Sequence, residues 1–276
     1  MRLVVYAGLR ERRVKREVPS YDILELKPVS NAYAVIVFVI NEGERIKRQL
    51  SVMKQFSGRI DIIIADGGST DGSLAPEYLK ECGVSTLLTK RGTGKLSAQM
   101  RMGFDYALNR GYTGVISVDG NDKDDTTAVD RFIQAFMDGY DYIQGSRYIP
   151  GGKAINTPFL RHWGLKLLHA PLISLAAGFR YTDTTNGFRG YSAKLLSDEK
   201  INIFRDVFQT YELHYYIAIQ SAKRGYKVRE VPVTRAYPAQ GELVSRISPF
   251  KGNLMILKIL FKAVLGKYDP EGGNHA

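Results

Sequence analysis

Tyr33-Ala-Val-Ile-Val-Phe-Val-Ile40, running straight into the polar pair Asn41-Glu42, is the stretch that decides the fold. A strand with one wet face alternates apolar and polar residues. This run does not alternate: it is apolar throughout and rich in β-branched side chains, as expected of a strand buried on both faces of a parallel sheet. Working outward, a polar helix is predicted over residues 43–56, and Ile60-Asp-Ile-Ile-Ile-Ala65 is a second buried strand. Helices over 74–81, 95–109 and 126–138 then alternate with strands over 85–88, 114–118 and 142–145. Strands separated by helices of this length make βαβ units, and right-handed crossovers put helices on both faces. The expected fold class is α/β, with a mostly parallel, doubly wound sheet.

Beyond Tyr148 the rhythm changes. Pro150-Gly-Gly152 is a loop, and residues 158–178 are predicted helical with a break at Pro171. A polar loop over 182–186 leads to Gly187-Phe-Arg-Gly190. A helix over 211–224 is capped by Gly225, and the last strand, 227–233, contains Pro232 and belongs at an edge. Residues 1–31 are read as an N-terminal extension with a strand near 3–6. Residues 246–276 are read as an amphipathic C-terminal segment, on the acid-free, apolar run 250–265, where Lys251, Lys258 and Lys262 share one stripe. Such a helix suits an anionic membrane surface, although a core-packing or dimer-forming helix reads the same way.

Composition narrows the function classes. The 276 residues are 44% hydrophobic, enough for a sizeable core. The net charge of +11 draws the chain toward polyanions, and much of it lies in residues 10–16 and 246–267. A single cysteine, Cys82, excludes an intramolecular disulfide and a Cys-based zinc site, and fits a reducing, cytosolic compartment. The start of the chain lacks a signal-peptide pattern, and no run of eighteen apolar residues predicts a membrane span. The four histidines have no zinc spacing.

In open α/β sheets ligands bind beyond the carboxyl ends of the strands. Three polar clusters fall there: Asn41-Glu42, Asp66-Gly-Gly-Ser-Thr-Asp-Gly72 and Asp119-Gly-Asn-Asp-Lys-Asp-Asp125. Any one of them could be a turn or a helix cap. Three together are harder to explain that way. The third offers hard oxygen ligands suited to Mg²⁺ or Mn²⁺, with a diphosphate on the same ion. Arg91-Gly-Thr-Gly-Lys95 fails as a phosphate loop because Leu96 stands where Ser or Thr is needed, yet Arg91 and Lys95 can meet phosphates. Gly145-Ser-Arg147 and Gly187-Phe-Arg189 each set an arginine beside a glycine, where a phosphate could be clamped or a surface carboxylate paired.

This ordered series, with Glu230-Val-Pro-Val233 closing it, resembles family-two glycosyltransferases of the GT-A fold over roughly residues 33–250. The nearest subgroup is similar to polyprenyl- and dolichyl-phosphate sugar synthases and bacterial surface-polysaccharide transferases. The resemblance implies a glycosyltransferase domain over 32–245, with a nucleotide-binding half (32–125) and an acceptor half (126–245). It implies a UDP- or GDP-sugar donor held by Asn41, Glu42, Asp66, Gly68, Arg91, Lys95 and Asp119. It implies Mg²⁺ or Mn²⁺ on Asp119 with Asn121 or Asp122. Two departures from the family pattern stand out: Gly67 replaces a second Asp, and Asn121 replaces the second Asp of Asp-X-Asp.

The resemblance further implies inverting transfer to a lipid phosphate or lipid-linked glycan, with Ser146, Arg147 and Arg189 on the acceptor side. A phosphate acceptor is already ionised and needs no base; a sugar hydroxyl needs one, and Asp183, then Glu212, are the candidates. The implied setting is cell-surface polysaccharide or glycolipid synthesis on the cytoplasmic face of a membrane. No nucleic-acid partner is expected, and a homo-oligomer is compatible with the sequence. The competing readings are a sugar-phosphate nucleotidyltransferase and a non-enzymatic basic module that binds lipid or nucleic acid. The first would need a Gly-rich basic signature after the first strand; the second leaves the acidic strand ends unexplained.

Overall fold

A computed structural model describes residues 15–238 and 251–270. The strand expected near residues 3–6, the basic residues 10–14 and Arg246 lie outside the described residues. Among the described residues the strands are β1 Tyr21–Glu25, β2 Tyr33–Val39, β3 Asp61–Asp66, β4 Val84–Lys90, β5 Gly114–Asp119, β6 Tyr142–Ser146, β7 Lys153–Ile155, β8 Arg189–Ser192, β9 Val228–Pro232 and β10 Thr234–Ala236. The helices are α1 Glu44–Met53, α2 Pro76–Glu81, α3 Leu96–Asn109, α4 Val129–Met137, α5 Phe159–Gly164, α6 Ala170–Ala177, α7 Ala193–Leu196, α8 Glu212–Lys223 and α9 Lys251–Val264.

Eight strands form one sheet in the order β1-β4-β3-β2-β5-β8-β6-β9. The run β4-β3-β2-β5 is parallel, as is the pair β6-β9. β7 and β10 form a separate two-stranded ribbon. The uninterrupted apolar run in β2 now has its physical reason. Ala34, Ile36 and Phe38 enter one core with α3, α6, α8 and α9, while Val35, Val37 and Val39 enter another with α1 and α4. Each fully buried side chain of this kind contributes roughly 1.5–3 kcal/mol, so both faces of β2 must be covered.

Three differences from expectation follow from pairing rather than composition. β1 lies inside the segment read as an extension, but it pairs antiparallel with β4, so the sheet starts before residue 32. β8, read as loop, inserts antiparallel between β5 and β6. It has four residues, too few to show a period, and its neighbours supply the burial. The helix expected over 158–178 is α5 and α6 joined by a wide turn over Leu165–His169, ahead of Pro171, which cannot donate a backbone hydrogen bond. β9 is the edge strand, as Pro232 requires. α9 packs Ile259, Leu260 and Ala263 inward, so its inner face is ordinary core.

Candidate active site

The carboxyl ends of the parallel strands open into a cavity of about 930 Å³. One wall carries Glu42, Lys90, Lys95, Asp119 and Asn121; the other carries Arg147, Arg161, His169, Arg235 and Tyr237. Gln99 lies between strands β2 and β3, where its amide donates to Val39 O and Ala65 O and holds their ends together.

On the strand-end wall, the turn after β5 sorts its own residues. Asp119 stays partly open and lines the cavity. Gly187 leaves room for it: a Cβ there would come within 3.1 Å of Asp119 Oδ1. Asn121 Nδ2 leans toward Asp119 Oδ2 at 3.4 Å, and Asn121 Oδ1 is buried with no partner. Asp122 has φ of 57°, which turns its carboxylate out to Arg48 at 2.9 Å. Of the three candidate metal ligands, Asp119 and Asn121 therefore face the cavity and Asp122 does not. Among the described residues no three His, Cys, Asp or Glu side chains group to hold an ion. The oxygens present still fit Mg²⁺ or Mn²⁺: one carboxylate plus an orphaned amide oxygen, with substrate phosphates completing the shell. Arg235, missed in the sequence, bonds both Asp119 (3.2 Å) and the buried Asp124. Burial raises the Asp124 carboxyl to about 6, against the pull of Arg235.

Several residues expected here point elsewhere. Arg91 pairs with Asp22 of β1 at 2.7 Å, and both are mostly exposed. Lys90, the last residue of β4, lines the cavity in its place. Asp66 is buried and accepts from Ser69 N and Oγ. Asn41 braces the same loop, its Oδ1 accepting from Thr70 N, and Gly68 serves the turn through φ of 98°. These three shape the rim and do not line the cavity, while Glu42 lines it and pairs with Arg45 at 2.8 Å.

The opposite wall is a hydrogen-bonded network in which His169 Nε2 and Asn186 Nδ2 are left without partners. Asp183 is wholly buried and held in a fork by Arg147, Nε to Oδ2 at 2.6 Å and Nη2 to Oδ1 at 2.9 Å. Glu230 clasps the loop from β9, accepting from Thr182 N, Thr182 Oγ1 and Asp183 N. Ser146 Oγ meets Thr182 Oγ1 at 2.6 Å. Arg189 is fully buried; its guanidinium donates to Asn186 O, Thr184 O, His214 O and Tyr142 OH. It frames the cavity rather than offering an open phosphate clamp, a correction to the sequence reading. His169 Nδ1 sits 2.8 Å from Thr184 Oγ1, and burial, with Arg189 nearby, pushes its pKa down to about 4. Glu212 is also corrected: it accepts from Gln209 N, Thr210 N and Thr210 Oγ1 at the start of α8. It ties down the turn that leads into α8 and does not line the cavity.

Arg161 donates to Tyr237 OH at 3.3 Å, and Lys123 lies over the Tyr237 ring. Burial, then Arg235, lowers the Lys123 pKa. No motif announced Arg161 or Tyr237, and Lys123 lay unremarked inside the acidic cluster 119–125. The signal for Lys90 was available, since it ends a strand; Arg235, in the middle of the three-residue β10, offered none.

Comparison with known proteins agrees with this geometry. The family model "Glycosyl transferase family 2" matches residues 34–200. The chain is 27% identical over 242 residues to the polyprenol monophosphomannose synthase of Mycolicibacterium smegmatis, covering 87% of this chain and 89% of that protein. It is 27% identical over 212 residues to the undecaprenyl-phosphate mannosyltransferase of Micrococcus luteus, covering 75% and 84%. Its fold is similar to glucosyl-3-phosphoglycerate synthase from Mycobacterium tuberculosis solved with Mg²⁺ and UDP, with a TM-score of 0.61, 12% identity, and coverage of 87% and 81%. Neither a nucleotidyltransferase nor a non-enzymatic module is favoured by these matches. With the motifs at the strand ends and the family model spanning more than half its length, the chain belongs to glycosyl transferase family 2 and is a glycosyltransferase.

Proposed function

We propose that this enzyme transfers a sugar from a UDP- or GDP-sugar to the phosphate of a polyprenyl phosphate, with inversion, at the cytoplasmic face of a membrane. The observation that carries the acceptor is the state of the carboxylates. A hydroxyl acceptor needs a base within hydrogen-bond reach. Asp183 is buried in the Arg147 fork and Glu212 is held by the turn before α8. Among the described residues, the carboxylates lining the cavity are Glu42 and Asp119, both on the strand-end wall. A phosphate monoester is ionised at neutral pH and attacks without a base. Arg161 and Arg235, with Lys123 against Tyr237, supply cations that suit such an anion. The relatives named for polyprenol and undecaprenyl phosphate support the same acceptor.

In this reading an acceptor phosphate oxygen attacks the anomeric carbon as the bond to the nucleoside diphosphate breaks. Asp119 and Asn121 would hold Mg²⁺ or Mn²⁺, which supplies Lewis-acid stabilisation of the leaving diphosphate. Lys90 and Lys95 add positive charge on the same wall, fixed before the reaction begins. Glu42 lines the nucleoside end, and the Arg147–Asp183 fork with Glu230 keeps the acceptor loop in one shape.

The test compares a short, water-soluble prenyl phosphate with the corresponding prenol, following nucleoside diphosphate release and product mass. Transfer to the phosphate and none to the prenol is expected. Efficient transfer to the prenol or to a sugar hydroxyl would overturn the acceptor assignment while leaving the family intact.

A further inference from the structure

α5 and the wide turn after it expose an apolar stripe that the folding of the domain does not explain. Phe159 is 74%, Leu160 83% and Leu167 70% exposed, with Trp163 half-buried between them and 6.1 Å from Phe159, ring to ring. The spacing 159, 163, 167 puts one side chain per turn on the same side. Soluble surfaces carry single apolar residues freely, but a contiguous patch of large ones marks a contact surface.

Two observations name the contact. The patch is continuous with the cavity: Leu160, Leu165 and Leu168 line it from α5 and the wide turn, and Ile256 and Leu257 line it from α9. The surrounding chain is also one-sided in charge. No Asp or Glu occurs from Tyr142 to Thr182, where Lys153, Arg161, Lys166 and Arg180 stand, and none occurs within α9, which carries Lys258 and Lys262. Apolar side chains among cations and no anions complement a bilayer with anionic headgroups, not an acidic or mixed protein surface. Among the described residues no helix is long and apolar enough to span a membrane, so a contact of this kind is interfacial.

We propose that α5 and the wide turn after it seat in the lipid interface, with Phe159, Trp163 and Leu167 in the acyl boundary and Lys166 at the headgroups, so that the cavity mouth opens toward the bilayer. This rests on the reading that the acceptor is a membrane lipid. It gives the apolar residues that line the cavity from the α5 and α9 side a use, as the place where a hydrocarbon chain would leave.

Trp163 is the only tryptophan in the chain, so its emission reports on this segment alone. The full chain is mixed with vesicles of phosphatidylcholine containing phosphatidylglycerol, and separately with phosphatidylcholine alone, without sugar donor or acceptor. The expected result is a blue shift and quenching by brominated lipid acyl chains, stronger on the anionic vesicles. Phe159→Glu/Leu167→Glu, at positions outside the cavity lining, is expected to weaken vesicle co-sedimentation at least about ten-fold. The same variant is expected to turn over the water-soluble prenyl phosphate within about two-fold of wild type. Trp163 emission unmoved by either vesicle would overturn the proposal. Vesicle binding that survives the double variant would assign the contact to another element and also overturn it. A dimer in sedimentation, with Trp163 shielded in the absence of lipid, would replace the bilayer by a second copy of the chain. Because the vesicle readouts need no catalysis and the soluble acceptor needs no vesicle, failure of the surface and failure of the acceptor reading are told apart.

Discussion

The two walls of the cavity are built from similar residue types and behave oppositely. At the ends of β2, β4 and β5 the side chains of Glu42, Lys90 and Asp119 project into open space. Across the cavity, Arg147, Asp183, Arg189 and His169 are buried and bound to one another, to backbone or, for His169, to the Thr184 hydroxyl. Topology makes the difference. Parallel strands all end at one edge, so their last residues fall into the crevice. β8 runs back between β5 and β6 and carries Arg189 into the interior, where a charge must find partners. One wall is a set of contact groups; the other is a frame.

The sharpest way to break that contrast is Asp119→Asn. It keeps the shape of the side chain and leaves Arg235 paired with Asp124. Loss of donor-dependent turnover by roughly a thousand-fold, about 4 kcal/mol of transition-state stabilisation, is expected. The melting temperature should stay within about 3 °C, since Asp119 is partly open. A normal rate would remove Asp119 from the donor site. Arg147→Met should invert the pattern. It strands a buried carboxylate, at a cost of about 3–5 kcal/mol, so the melting temperature falls by roughly 10 °C. Adding Asp183→Asn should recover part of the loss, read from a double-mutant cycle in denaturant. Additive losses would mean that the fork is not a unit.

Acidification should find the frame before the contact wall. His169 is buried with its pKa near 4, below the ordinary 6.5, so the folded state holds it neutral and protonation favours unfolding. The stability tied to its neutral form is complete above pH 6.5 and is lost as pH falls toward 4, about 2 kcal/mol of it by pH 5. Asp124, raised to about 6, has the opposite sign and is stabilised by the same acidification. The measurement is melting temperature from pH 7 to 5 for wild type and His169→Gln. The variant should fall less steeply; identical slopes would mean that His169 does not set the acid limb.

The contact wall was the more legible of the two in the sequence, for a physical reason. A strand buried on both faces writes itself as a continuous apolar run, and the polar residue after it is at the strand end wherever the sheet is parallel. That reasoning finds Glu42 and Asp119, and applied to β4 it finds Lys90, the neighbour of the expected Arg91. The frame has no such grammar. β8 is four residues long, Arg189 is paired through contacts scattered from Tyr142 to His214, and Arg235 reaches Asp119 across 116 positions of sequence. The choice between Asn121 and Asp122 turned on a left-handed φ at Asp122, which composition does not encode.

Glu212 supplies the finest test, because its two readings differ in kind rather than in degree. As a base, its loss would cost 10²- to 10⁴-fold in rate. As an anchor of the turn before α8, Glu212→Gln keeps one oxygen for the Gln209 and Thr210 N–H groups and puts its amide at the Thr210 hydroxyl, which costs about 1 kcal/mol of stability and leaves turnover within about three-fold. Arg91→Ala is its counterpart on the other wall: an exposed pair with Asp22 worth about 0–1 kcal/mol, whose removal should leave nucleotide affinity unchanged. Lys90→Met should weaken that affinity while barely moving the melting temperature. If Arg91→Ala weakens nucleotide binding and Lys90→Met does not, the pocket contact belongs to the residue the motif suggested. The strand-end rule, which places the last residue of β4 in the crevice, then fails at this edge of the sheet.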